Sequence, residues 1–284
     1  MVRTSSRYQL FIHWMVSRAE QSKRLVASLL IAASPLVSAF EEQGHSMVAQ
    51  LMVMYLDDNA KGRLESLLGA NWQRELIAMA PRVEQEVSRA KNRSMQPLQL
   101  TLFSVEDTEF NPQQHCPKNA CSVGAVLESK KVLQENQFSN AQKKKALGYL
   151  MHYMVQLHVP VNTGLKRDMG GQKIYLKDGD LKDVNLAWIW NYDLYRRFET
   201  RWFSLAQEYF REMKDMDLST WSESKMPQDW AFESHLLARE HVYPIATEGR
   251  YSAALIKEGQ ALLRTQLQKA AYRSALLINE ALGS

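Results

Sequence analysis

Cysteine is scarce in this 284-residue sequence, apolar runs long enough to cross a bilayer are missing, and polar–apolar alternation hardly occurs. Each lack excludes something. Two cysteines, Cys116 and Cys121, cannot complete a structural zinc site that takes four ligands; in an oxidising compartment the CPKNAC spacing favours a local disulfide that pins a turn. Nothing reaches the roughly 20 apolar residues of a transmembrane helix. The most apolar stretch, LVASLLIAASPLVSA over 25–39, follows Lys23 and Arg24 and ends in Val37-Ser38-Ala39, the pattern of a secretory leader cleaved after Ala39. A membrane anchor or a disordered extension is the alternative, and Met15 would give a leader of more ordinary length than Met1 does. Net charge is also lacking once it is located. Arg3, Arg7, Arg18, Lys23 and Arg24 against Glu20 account for the whole formal excess of +4, so residues 40–284 are neutral. That argues against a broad phosphate-binding surface, since non-specific nucleic-acid affinity comes chiefly from Lys and Arg. The one basic cluster, Lys143 to Lys145 with Lys130 and Lys131 upstream, reads by default as helix surface charge.

What is present is apolar spacing at three and four residues almost throughout, which predicts an all-α chain. Candidate helices cover 44–57, 59–69, 81–92, 121–136, 140–158, 185–214, 222–240 and 252–281, with Pro81 in a first helical turn and Ser139 or Asn140 as an N-cap. A β-prone run between Gly170-Gly171 and an Asp-Gly turn, within 167–180, suggests one small hairpin. No repeat, low-complexity tract or linker divides residues 40–284, so the expectation is a signal peptide over 1–39 and one multi-helix bundle over 40–284, secreted or periplasmic and free of the membrane after cleavage.

The stretch LMHYMVQLHVPVN, 150–162, carries two faces. Leu147, Leu150, Met151, Met154, Val155 and His158 form the stripe expected to be buried, with His158 as a hydrogen-bonded core histidine. Tyr149, His152, Tyr153 and Gln156 form a second face. A later four-residue pair, Ala187 and Asn191 in NLAWIWN, would turn toward the same space.

Taken in order, FEEQGH (40–45), the Cys-rich turn followed by SVGAV, the 150–162 helix, the Gly170-Gly171 loop, NLAWIWN, WAFESHLLA from Trp230 and AAYRSALLIN from Ala270 resemble the P1/S1 nucleases. These are secreted all-α phosphodiesterases whose chemistry rests on three zinc ions. The resemblance implies a P1 nuclease/phospholipase C-type bundle. It also implies ligand positions, and most are altered. Phe40 would offer the free amino terminus, and His45 and His152 match ligands belonging to different zinc sites. Pro81, Gln99, Gln156, Asn162, Ala187 and Asn191 stand where the family places aspartate, histidine, the bridging aspartate, histidine, histidine and aspartate. Glu84 falls at the arginine that the family aims at the scissile phosphate.

Three zinc ions bring six positive charges that neutral amides do not offset, and an amide does not bridge two ions as a carboxylate does. No cofactor is therefore expected, or at most one zinc, on Phe40, His45 and His152. The expected activity is that of a catalytically silent relative, a binding or scaffold protein whose amide-lined pocket takes a small polar ligand or nucleotide. A residual metal-dependent nuclease or nucleotidase acting on single-stranded nucleic acid is the alternative.

Overall fold

The computed structural model describes residues 38–88, 96–177, 183–198, 200–247 and 249–283. The expected leader lies outside them but for its last two residues.

The protein is all-α. Its long helices are α1 (Ser38–Val53), α2 (Asp58–Leu68), α3 (Trp72–Ser88), α4 (Ser122–Gln134) and α5 (Asn140–His158). They are followed by α6, a Leu186–Trp188 turn and a Leu194–Arg196 turn flanking the π-helical Ile189–Asp193, and by α7 (Trp202–Lys214). Then come α8, in which Pro227–Leu237 and Tyr243–Ala246 flank the π-helical Ala238–Val242, and α9 (Ala253–Gly283).

Helix α5 is the axle. It starts where Ser139 closes a capping box with Gln142, so two amide donors at its first turn are satisfied by side chains. From Ala146 to His158 every residue is buried, because α1, α3, α4, α8 and α9 all pack against it. The sequence pattern separates a buried stripe from a second face; the bundle covers both. Over this stretch the polar groups are shut away from bulk water, and most find partners inside the protein.

His158 shows how that is met. Its Nδ1–H donates to the Met154 carbonyl at 2.7 Å, and its Nε2 accepts from Arg273 Nη1 at 3.1 Å. Arg273, 3% exposed, also donates to the Trp221 carbonyl and to Glu233, and its guanidinium lies over the Trp230 ring. Burial, with the Arg273 charge adding to it, pushes the His158 pKa down to about 3. The Arg273 and Lys269 charges hold Glu233 at about 2 in spite of burial.

Cys116 and Cys121 form a disulfide, and Cys121 caps α4. The bridged turn places the Asn119 carbonyl so close to α4 that a Cβ on Gly124 would stand 2.4 Å from it. A second close approach fixes the 160–171 segment: Gly170 has φ +65°, and a Cβ there would meet the Val161 carbonyl at 2.3 Å.

The structure corrects several boundaries. Pro81 lies inside α3, which begins a full two turns earlier at Trp72, so the Ile77 carbonyl lacks its intrahelical donor. The 185–214 helix is interrupted between Arg196 and Trp202, and 222–240 starts at Pro227 with a π-helical turn at its end. The hairpin is real but wider than expected. Its strand β1 (Tyr175–Leu176) pairs antiparallel with β2 (Val184–Asn185), beyond the Asp-Gly turn, which lies outside the described residues.

Two outcomes follow from this packing. Gly124→Ala is expected to lower unfolding free energy by about 1–3 kcal/mol in urea denaturation, the cost of overpacking against backbone. His158 is depressed in the folded state, so the unfolded chain binds more protons. Its contribution is therefore complete above about pH 6.5 and declines as pH falls toward 3, by about 1.4 kcal/mol per pH unit. His158→Gln should remove one proton's worth of that slope in unfolding curves collected across the window.

Candidate metal centre

Glu84 occupies the middle of the site. It lies one turn beyond Pro81 on the buried side of α3, 6% exposed, and faces α1 and α5. Its Oε2 is 3.3 Å from His152 Nδ1, 3.9 Å from His45 Nε2 and 3.4 Å from Gln156 Nε2, which donates to it. The two imidazoles are stacked, with centroids 5.0 Å apart and planes 13° from parallel. Among the described residues, His45, Glu84 and His152 are the one group of three or more His, Cys, Asp or Glu whose ligand atoms converge, all lying within 4.8 Å of one another.

His152 is fully buried. Its Nε2 is 2.7 Å from Gln99 Oε1, and because an amide oxygen only accepts, that nitrogen carries the proton. Nδ1 is then a lone pair, and no hydrogen bond reaches it. Burial drives the His152 pKa down to about 3; the Glu84 carboxylate opposes the shift and His45 adds to it. The ring is neutral, the form in which imidazole binds a metal.

Behind Glu84 runs a chain of amides. Asn162 Nδ2 donates to Gln156 Oε1 and, at 2.8 Å, to Asn191 Oδ1. Asn191 Nδ2 returns a bond to Asn162 Oδ1 and another to the Ala187 carbonyl, both 3.0 Å. Asn191 sits on the π-helical turn of α6, a feature frequent where a helix bends to serve a site. Asn162 is held in a short 3₁₀ turn, and its own carbonyl accepts from the Thr101 amide at 2.9 Å. The bonds run in one sense, from Asn162 through Gln156 to Glu84, so N–H dipoles point at the carboxylate.

The six altered ligand positions thus divide. Gln156, Asn162 and Asn191 meet in the amide chain, Ala187 joins through its carbonyl, and Gln99 orients His152 from the other side. Pro81 supplies no polar side-chain atom. Of Phe40 only the backbone is described, in the first turn of α1. A cavity lined by His45, Glu84, Gln156, Asn191 and Tyr195 adjoins the cluster, and its free space of ≈ 10 Å³ is about what one water molecule needs. Tyr195 covers this end: a Cβ on Gly44 would stand 2.5 Å from its ring.

Reading aspartates alone hides Glu84. The signal was available: Leu76, Ala80, Val83 and Val87 make the buried stripe of α3, and Glu84 falls inside it. A carboxylate on an apolar stripe has a reason to be there.

The residues do not fit three zinc ions. Three amides that would have to serve as ligands are committed to one another, and one carboxylate stands where several would be needed. A family model described as S1/P1 Nuclease matches residues 40–283. Endonuclease 3 of Arabidopsis thaliana is 23% identical over 227 residues, which cover 73% of this chain and 76% of that protein.

Removing the middle of the amide chain by Asn162→Ala leaves Gln156 and Asn191 each short of a partner. The expected loss is about 1–3 kcal/mol of unfolding free energy, read by urea denaturation at neutral pH.

Proposed function

Since the chain belongs to the S1/P1 nuclease family, we propose that it is a member that has given up trinuclear phosphodiester hydrolysis and acts as a binding or scaffold protein on the retained fold. The observation that carries this reading is the reciprocal pair of hydrogen bonds between Asn162 and Asn191, extended to Gln156. Side chains aligned with metal ligands are here each other's partners, and the arrangement is neutral where a three-ion centre needs several negative charges.

Glu84 supports the same reading from the substrate's side. At the position the resemblance gives to a phosphate-binding arginine, a carboxylate repels a phosphodiester by about 4 kcal/mol at 4 Å and an effective dielectric of 20, where arginine would attract it by as much. The size of the adjoining cavity favours recognition at the protein surface over enclosure of a nucleotide, because pockets that enclose ligands run to about 300–1,000 Å³. No described helix is long and apolar enough to cross a membrane. The leader-like segment before Phe40 directs the protein out of the cytoplasm in this proposal, as is general in the family.

One observation favours a second reading, a residual metal-dependent hydrolase: His45, Glu84 and His152 still converge. A nuclease assay on single-stranded DNA, comparing the protein with its His45→Ala, His152→Ala double variant, separates the two. Equal hydrolysis by both, at the level of a mock preparation, is expected. Hydrolysis that disappears in the double variant would replace the first reading by the second.

A further inference from the structure

We propose that His45, Glu84 and His152 bind a single divalent transition-metal ion of the zinc class, at a site rebuilt around Glu84 after the trinuclear centre was lost. The proposal rests on that loss, and it adds a ligand that the resemblance does not supply. The resemblance assigns His45 and His152 to different ions and gives the Glu84 position no metal role.

Three observations carry it. The first is spacing. Tetrahedral zinc with nitrogen and oxygen ligands at 2.0–2.1 Å holds its ligand atoms about 3.3 Å from one another. His152 Nδ1 and Glu84 Oε2 are 3.3 Å apart, His45 Nε2 and Glu84 Oε2 are 3.9 Å apart, and no pair in the group exceeds 4.8 Å. Small side-chain rotations close the remaining gap.

The second is the lone pair on His152. With Nε2 bound as donor to Gln99, Nδ1 turns an unprotonated face toward a carboxylate oxygen, and both atoms are acceptors. Two acceptors at 3.3 Å repel unless a proton or a cation lies between them. The rings of His45 and His152 lie nearly parallel, and a nitrogen of each stands within 4.8 Å of the other and of a Glu84 oxygen, so a cation among them meets three donors of electron pairs at once.

The third is the surroundings. Metal-bound histidines usually donate their other ring N–H to a carbonyl or carboxylate, and metal-bound carboxylates are themselves hydrogen-bonded. Gln99 does the former for His152 and Gln156 the latter for Glu84. Two residues at altered ligand positions thus stand where supporting groups of the new site belong. The adjoining cavity, with room for about one water, is lined by two of the three ligands and gives the fourth coordination position a place.

Two imidazoles and one carboxylate suit zinc and neighbouring first-row ions and disfavour magnesium and calcium, which prefer all-oxygen sets. The ligands come from α1, α3 and α5, so the ion would tie three helices at one point.

The test is calorimetric titration of zinc chloride into the chelator-stripped full chain, with cobalt(II) substitution as an optical readout. One ion per chain is expected, with visible cobalt bands of tetrahedral intensity. Glu84→Gln should weaken binding at least tenfold and abolish those bands, and Gln99→Ala should weaken it about 10–100-fold, as loss of a supporting hydrogen bond does. Circular dichroism of each variant establishes that it has folded. Should Glu84→Gln not fold, His45→Asn carries the same test.

Absence of binding, or binding unchanged in Glu84→Gln, overturns this proposal and leaves the loss of trinuclear hydrolysis standing. Three ions per chain overturn both.

Discussion

The buried half of α5 offers its polar side chains little besides neighbouring elements to bond, and that constraint organises this protein. Along the buried half of α5, His152, Gln156 and His158 each have to find a partner from a neighbouring element. His158 takes one from its own backbone and one from α9, Gln156 reaches α3 and the 160–171 segment, and His152 is turned by Gln99. The site is therefore less a pocket with residues around it than a set of obligations radiating from one helix. An unmet obligation costs about 1–3 kcal/mol, a sizeable fraction of a typical protein's net stability.

The same constraint explains how the amides beside Glu84 are held. Buried amides with no counter-charge at hand are satisfied by hydrogen bonds. Asn162 and Asn191 solve this by pairing reciprocally, each using its oxygen and its nitrogen. Such a pair needs no counter-charge. It also gives direction, since Gln156, which accepts from Asn162, donates onward to the carboxylate of Glu84.

Much of the architecture is legible in the sequence because local rules govern it. The Ser139 cap, the span Asn140–His158 and the long last helix follow from capping chemistry and a 3.6-residue period, and the disulfide from two cysteines five residues apart. What sequence reasoning misses is set elsewhere in the chain. Pro81 reads as a helix start because nothing nearby says that Trp72 has already begun one. The break after Arg196 escapes because amphipathic spacing continues across it. Glu84 reads as the loss of an arginine; its gain as a carboxylate appears only when α1 and α5 come within 4 Å of it, across 39 and 68 positions of sequence. Local period and propensity carry no information about that encounter.

The clamp on Arg273 stands apart from the candidate centre. It joins α9 to His158, to Glu233 of α8 and to the Trp221 carbonyl, and it draws on none of the six altered positions around Glu84. The junction of α5, α8 and α9 is thereby held by side chains other than those around Glu84, so a change at one of those positions leaves this junction's own hydrogen bonds in place.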